Sequence, residues 1–534
     1  MLDVPSLAEY AKTLPHVTYS ADNLYTCSEV GLTEIKENIE EHKLNRVIVA
    51  SCSPRTHEPL FRAICQEAGL NPYLFEMVNI RDQDSWVHMK EPEKGTEKAK
   101  DLIRMSVHKA ALLEPLERIK VSVIPSAIVI GGGIAGITAA LVLGNQGFEV
   151  SLIEKKQELG GLLRSLNKIY PSNEEASKLL ESIELIESHD KIKVFKSSAI
   201  EKVDGFIGNY KVSIEQNKKL IEIDAGAIII ATGAIPLSPE GYYGYNKKNI
   251  ISQLDLESLL KNDQVSANDI TMILCVGCRN EERKYCSNIC CMTAMKNAML
   301  IIEKNSNAHI TILFRDIQAS GTVYESYYRK AREKGILFIK YLPEKPPVIN
   351  KEVVKVYSDF LNQKIEIPQD LVVLSTPLIA NEDSDKLAKM LKVPLEENSF
   401  FLEAHVKLRP VDFATDGVFV CGSAHWPADI AESTSQANAA ASRASTILWK
   451  DTLEVEGSTA EVIEELCIGC EACIRICPYK AITKDEETDT AVVNKVLCKG
   501  CGVCGASCPK KAIIIHHFTG DQIRAEILTY GGGV

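Results

Sequence analysis

Eight cysteines near the C-terminus stand in two runs of identical spacing, Cys467-x2-Cys470-x2-Cys473-x3-Cys477-Pro478 and Cys498-x2-Cys501-x2-Cys504-x3-Cys508-Pro509. Thiolates so spaced hold a pair of [4Fe–4S] clusters, three ligands coming from one run and the fourth from the other. One cluster is therefore expected on Cys467, Cys470, Cys473 and Cys508, and the second on Cys498, Cys501, Cys504 and Cys477. A disulfide framework would need an oxidising compartment, and zinc sites do not usually interlock two four-cysteine runs. Two clusters in series form a path for single electrons, so the rest of the chain must supply what the path connects.

A second constellation begins at Ala127. Ala127-Ile-Val-Ile130 reads as a buried parallel strand, and Gly131-Gly132-Gly133-Ile134-Ala135-Gly136 follows at once. Ile137 to Asn145 reads as an apolar helix, and Phe148 to Ile153 as a second strand ending at Glu154. Strand, G-x-G-x-x-G, helix, strand and acid in this order form a dinucleotide-binding unit. Gly131 makes the tight turn, Gly133 lets the backbone approach a pyrophosphate, and Gly136 lets the helix pack closely. The helix N-terminus then faces the phosphates, and Glu154 is the expected acceptor for the ribose hydroxyls.

Three more segments resemble the two-dinucleotide-domain flavoproteins and point to FAD rather than NAD. They are Leu159-Gly160-Gly161, Ile230-Ala231-Thr232-Gly233, and Gly417-Val-Phe-Val-Cys-Gly422-Ser423 with a helix expected over Ile430 to Leu448. The resemblance implies flavin contacts at Gly160, Gly161, Thr232, Gly233 and Gly422. That family has Gly-Asp at the last turn, whereas this chain has Gly422-Ser423 and so lacks the carboxylate.

Flavoproteins of the thioredoxin reductase type also carry a second glycine loop, in an inserted NAD(P)H domain. Its flanking elements are legible as a strand (Asp269 to Leu274), a helix (Thr293 to Glu303) and a strand (His309 to Phe314). Between the first two stands Cys275-Val-Gly-Cys278-Arg-Asn-Glu-Glu-Arg-Lys-Tyr-Cys286-Ser-Asn-Ile-Cys290-Cys291. Without the glycines a pyrophosphate cannot reach the backbone there. Five cysteines in seventeen residues point instead to a further iron–sulfur cluster. Cys275-x-x-Cys278 is also the spacing of an exchanging dithiol, and four of the five thiols would suffice for zinc.

These elements fit into 534 residues of ordinary globular composition, 45% hydrophobic and 25% charged. The net charge of −12 disfavours nucleic acid or anionic membranes as partners. The most apolar window, Ala127 to Gly147, is interrupted by six glycines, so no membrane insertion is expected. Seventeen cysteines and no recognisable export signal imply a reducing cytoplasm, and exposed cluster thiolates an anaerobic cell. Domain boundaries are read at 1–120, 121–450 (with a degenerate nicotinamide-type subdomain at about 265–345) and 451–534, the acidic stretch Asp451 to Glu465 serving as a linker. The expected fold class is α/β of the two-dinucleotide-domain, thioredoxin reductase-like type. To it are added a small α/β N-terminal domain, with helices over Leu32 to His42 and Glu93 to Leu113 and a strand over Arg46 to Ala50, and a C-terminal α+β 2[4Fe–4S] ferredoxin domain.

Taken with Leu44-Asn-Arg-Val-Ile-Val-Ala-Ser-Cys-Ser-Pro-Arg-Thr-His-Glu-Pro-Leu-Phe61, Glu67 to Glu76 and Tyr285-Cys-Ser-Asn-Ile-Cys-Cys291, the chain resembles HdrA, the flavin-bearing iron–sulfur subunit of heterodisulfide reductase. The resemblance implies a central cluster on Cys275, Cys286, Cys290 and Cys291, with Cys278 a bystander. It implies an electron-transfer role between flavin, clusters and partner subunits, including flavin-based electron bifurcation. The partners it implies are other subunits of such a complex and ferredoxin, hydrogenase or formate dehydrogenase-type donors, and it is compatible with a homodimer inside the complex. Longer members carry an additional ferredoxin module where Val203 to Ile228 runs through without cysteine. They also begin with an extra strand and a Cys-His-Cys-Gly segment, whereas this chain starts at Met1-Leu-Asp-Val, so Cys27, Cys52 and Cys65 are expected to be structural thiols. His57 and Arg55 are read as packing residues of a loop. The competing assignment, a self-contained NAD(P)H:ferredoxin oxidoreductase, requires the nicotinamide site that the cysteine segment has displaced.

Overall fold

The computed structural model describes residues 2–530, the side chains of Arg55 and Thr56 excepted. The chain forms two compact units, one of Val121–Leu453 and one built from both ends, Met1–Lys120 with Glu454–Val534.

In the central unit the apolar run Ser126–Ile130 is the middle strand of a five-stranded parallel sheet. The order is Val418–Val420, Ala227–Ile230, Ser126–Ile130, Glu149–Ile153 and Ile192–Phe195. Strands covered on both faces carry continuous apolar runs, and Ala227–Ile230 is buried at every position. One face is covered by the helices Ile134–Asn145 and Ile430–Leu448, whose alanines (Ala139 and Ala140; Ala437, Ala440 and Ala441) share one core. Small side chains there let the two helices lie close over the strand ends. The other face packs on an antiparallel meander, Ser198–Phe206, Asn209–Gln216 and Lys219–Ala225, through Ile200, Tyr210, Val212 and Ile214. The Val203 to Ile228 stretch is thus occupied by sheet.

A second five-stranded parallel sheet runs Ile250–Ser252, Leu371–Leu374, Asp269–Ile273, His309–Phe314 and Leu337–Lys340. Its helix starts three residues earlier than the apolar pattern suggested, at Cys290, and runs to Lys304. Cys290 and Cys291 therefore sit on the first helical turn, while Met292, Met295 and Met299 pack into the sheet core.

In the other unit, Val47–Ser51 pairs in parallel with Phe75–Asn79, with the helix Pro54–Glu67 crossing between them. His57 lies on the first turn of that helix, not in a loop, because Ser53 is extended and Pro54 presets the first helical position. Arg55, the other residue read as loop packing, lies outside the described side chains. Cys65 is buried with Phe61 and Phe75, and burial pushes its thiol up to about 12. Cys52 is half-buried, whereas Cys27, expected as another packed thiol, is exposed just before the N-cap Ser28.

The stretch Asp451 to Glu465 is not the linker its acidity suggested. It holds the strands Thr452–Val455 and Ala460–Val462, the latter paired antiparallel with Ile513–Ile515. Alternation along Thr452-Leu-Glu-Val455 buries Leu453 and Val455 and exposes the polar pair, a period-two pattern masked by the acidic composition.

Within this unit the two chain ends are joined by buried polar contacts. Tyr73 Oη accepts the Gly457 N–H at 2.6 Å, His517 Nε2 lies 3.4 Å from the Glu76 carboxylate, and Gln522 donates to the Leu112 carbonyl at 2.9 Å. A buried N–H that loses its acceptor costs about 1–3 kcal/mol. Tyr73→Phe should therefore lower the unfolding free energy of this unit by about that amount, read from the denaturant midpoint, while the central unit's transition stays in place.

Candidate functional site

A cavity of about 760 Å³ opens at the C-terminal ends of the first sheet's strands, where doubly wound sheets bind dinucleotides. Gly131, Gly133, Glu154, Gly160, Gly161, Thr232 and Gly233 line it. Gly136 and Gly422 stand behind the wall. A Cβ on Gly136 would lie 1.8 Å from the Gly131 carbonyl oxygen, and one on Gly131, at φ +110°, would lie 2.3 Å from that of Ala231. These contacts draw the helix Ile134–Asn145 onto the strand ends. Gly422, at φ +66°, brings its turn against Ala135 and donates its N–H to Gln436 at 3.0 Å.

The cavity's polar fittings suit a dinucleotide. A Cβ on Gly133 would meet nothing within 4 Å, which leaves open space over the helix N-terminus for a pyrophosphate. Glu154 accepts the Gly132 and Lys156 N–H groups, both at 2.7 Å, and so holds its carboxylate at the strand end. Thr232 lines the cavity, and its hydroxyl is buried without a hydrogen-bond partner. Ser423, in place of the usual acid, bonds the Ala428 carbonyl at 3.2 Å. Asp429 also lines the cavity, capping the helix Ile430–Leu448 and accepting from Tyr324. The sequence did carry a cue to Asp429, an N-cap acid directly before a helical run.

The cavity reaches the cysteine segment through Cys290 and Thr293. That segment follows Asp269–Ile273 and occupies the place of a second phosphate loop. Cys275 takes the left-handed conformation, φ +61°, and Gly277 packs against Leu237 and Tyr242. Cys278 hydrogen-bonds the sulfur of Cys275, lowering the Cys275 thiol against its burial with further help from Arg279 and Arg315, and its own thiol is raised in return. Gln318 donates its N–H to Cys291 Sγ at 3.5 Å and Asn288 to Cys286 Sγ at 3.4 Å. Burial pushes Cys290 up and Cys291 up to about 11.

Lys296, one helical face on from Cys290, also borders the cavity. It is buried in an ion pair with Glu257 and donates to the Lys168 carbonyl at 2.8 Å. Sequence reasoning missed this pair because its partners come from separate helices.

In the other unit the doubled cysteine runs form two recesses. One is lined by Cys467, Cys470, Cys473 and Cys508, the other by Cys477, Cys498, Cys501 and Cys504. The fourth cysteine of each run has thus crossed to the other recess. Cys470 and Cys501 are exposed, while Cys473 and Cys504 are buried beneath them.

Over 584 aligned positions the chain is 38% identical to an A-type iron–sulfur subunit of the CoB–CoM heterodisulfide reductase of Methanopyrus kandleri, covering 90% of this chain and 88% of that protein. The chain belongs to the HdrA family of heterodisulfide reductase subunits. A second relative, the A-type subunit of the H(2):CoB-CoM heterodisulfide,ferredoxin reductase of Methanothermobacter thermautotrophicus, is 37% identical over 91% of this chain and 88% of its own length. Both alignments exceed the 534 residues of this chain, so the relatives hold residues with no counterpart in it. Residues 125–277 match the pyridine nucleotide-disulphide oxidoreductase family and residues 466–512 a 4Fe-4S dicluster domain. The first match stops within the cysteine segment. Among solved structures, Lactococcus lactis thioredoxin reductase aligns with a TM-score of 0.43 at 16% identity, covering 61% of this chain and 99% of that one. This HdrA family member is an oxidoreductase, and its two matched domains support FAD and [4Fe–4S] cofactors.

The cradle separates two roles for its glycines. Gly136→Ala should cost about 1–3 kcal/mol of stability through overpacking and lose bound flavin together with it. Gly133→Ala, with room for its methyl in the protein itself, should leave the unfolding midpoint of the flavin-free chain unchanged and lower the flavin content per chain as purified. Flavin absorbance of the purified proteins and denaturation curves after removal of flavin check both.

Proposed function

We propose that this chain is the flavin- and cluster-bearing component of a heterodisulfide reductase-like complex, moving electrons between an FAD, three [4Fe–4S] clusters and partner subunits. The observation that carries this reading is the shared cavity: Cys290, at the head of the helix that closes the cysteine segment, lines the same space as the Gly131–Gly133 turn and Glu154. FAD bound there would supply two-electron exchange with one side and single electrons to the other.

The chain's residues would hold and insulate it. The N–H groups after Gly133 face the pyrophosphate, Glu154 takes the ribose hydroxyls, and Thr232 offers its unpartnered hydroxyl. Gly160, Gly161, Gly233 and the Gly422 turn keep side chains out of the path of the cofactor. Cys275, Cys286, Cys290 and Cys291 would hold the central cluster, with Arg279 and Arg315 offsetting the charge of the thiolates at Cys275. The two recesses of the doubled runs would hold the other two. By this assignment 1–120 is the family's N-terminal domain, 121–450 the flavin domain with a cluster-bearing subdomain at about 265–345, and 451–534 the ferredoxin domain.

The partners are proposed by family membership: relatives are named for heterodisulfide and ferredoxin reduction with hydrogen or formate as donor. Ferredoxin, hydrogenase or formate dehydrogenase-type subunits in the cytoplasm are the corresponding partners here, and coupling two acceptors at one flavin is the bifurcating step. Among the described residues no helix is long and apolar enough to cross a membrane.

Anaerobically purified protein should contain about twelve irons per chain, three clusters of four. About eight would remove the central cluster. Mixing with NADH or NADPH in the absence of partners should leave the flavin spectrum unchanged in anaerobic stopped flow. Rapid bleaching by either nucleotide would establish the self-contained NAD(P)H:ferredoxin oxidoreductase instead.

A further inference from the structure

The two cysteine runs are offset by thirty-one residues, so each group at one recess has a counterpart at the other: Cys467 with Cys498, Cys470 with Cys501, Cys473 with Cys504, and Cys477 with Cys508. The surroundings of the recesses can therefore be compared position by position, and they differ.

We propose that the recess of Cys477, Cys498, Cys501 and Cys504 holds the higher-potential cluster of the pair, so that an electron shared between them rests there. This rests on the two-cluster assignment above. Reduction adds a negative charge to a cluster, and N–H dipoles aimed at its sulfurs stabilise that charge and raise the potential. Cys477 and Cys508 each accept one such bond, from Ala481 and Ala512, both at 3.3 Å, so these two cancel. The amides following Cys473 and Cys504, of Ile474 and Gly505, match one another, and Cys473 has its own N–H besides, which makes three such bonds at the first recess and two so far at the second. Cys498 accepts two more, from Ala460 at 3.3 Å and Gly500 at 3.5 Å, so the second recess has four to the first's three. Among the described residues its counterpart Cys467 accepts none.

The fixed charges at the first recess offset one another, so the amide donors decide the order. Glu471 lines the first recess, and Asp489 sits against its Gly469 turn, where an added Cβ would lie 2.9 Å from Asp489 Oδ2. Their counterparts at the second recess are Gly502 and Ser458, which carry no charge. Lys484 pairs with both acids, at 3.3 and 2.7 Å, and Lys510 also borders the first recess, so its charges balance. An electron passing from the first to the second oxidises one cluster by one unit and reduces the other by one, with no proton or further reactant needed.

The test is a potentiometric EPR titration of the full chain, purified anaerobically, beside Cys470→Ser and Cys501→Ser. Each serine replaces one exposed ligand and so alters or removes the signal of one identified cluster. Of the two signals that these variants change, the one that appears first as the potential is lowered should be the one changed in Cys501→Ser and retained in Cys470→Ser. The reverse pattern, or simultaneous appearance of both signals in the unaltered chain, would overturn the order. Should either variant not fold, proton ENDOR of the unaltered chain still decides it: the first signal must carry more exchangeable amide-proton couplings than the second, and equal or fewer would refute the proposal. Iron counted on the same samples separates the two levels, because fewer than about eight irons per chain removes the cluster pair itself and the order with it.

Discussion

The central unit turns on a contact between backbones: Gly136 lies against the Gly131 carbonyl, and Gly131 against Ala231. This approach sets where the helix Ile134–Asn145 begins and how near it lies to the strand ends. The direction of the first helical N–H groups follows from it. So does the Gly132 N–H that orients Glu154, and the Gly160–Gly132 bond at 2.7 Å that brings the second glycine turn to the cavity. A single methyl at Gly136 would push the helix away from all of these. Stability and cofactor geometry therefore depend on the same few missing side chains.

The second parallel sheet repeats the topology without the glycines. At its corresponding turn Cys275 takes a left-handed backbone, Gly277 packs on Leu237 and Tyr242, and the helix opens with two adjacent cysteines. The place at which such a sheet presents a phosphate site is retained, while the donor set has changed from amide N–H to sulfur. Cys290 opens onto the dinucleotide-type cavity, and under the proposed function the change would replace a route for hydride by one for electrons.

The end-built unit shows a different constraint. Neither the two-stranded sheet of Val47–Ser51 with Phe75–Asn79 nor the short hairpins around the cysteine runs is large enough to bury much apolar surface alone. Tyr73, Glu76 and Gln522 join them through buried polar contacts to Gly457, His517 and Leu112, each on the other segment. Asp451 to Glu465 supplies strand rather than spacer within this arrangement, which its acidic composition concealed.

The sequence by itself determined the elements whose signal is local. Cysteine spacing grouped the four cysteines that line each recess, because short helices and tight turns leave few ways to arrange x2 and x3 gaps around one space. Glycine order located the dinucleotide turn, because only glycine allows backbone to touch backbone. Resemblance to the two-dinucleotide-domain flavoproteins marked the helix Ile430–Leu448 at both ends. Only the tertiary structure decided what depends on residues distant in sequence: that Cys290 shares a cavity with Gly133, that Glu257 neutralises Lys296, that Cys27 is exposed while Cys65 is buried, and that Cys498 gains amide donors Cys467 lacks. Burial and hydrogen bonding are properties of a neighbourhood, and these neighbourhoods are assembled from segments that carry no mark of one another.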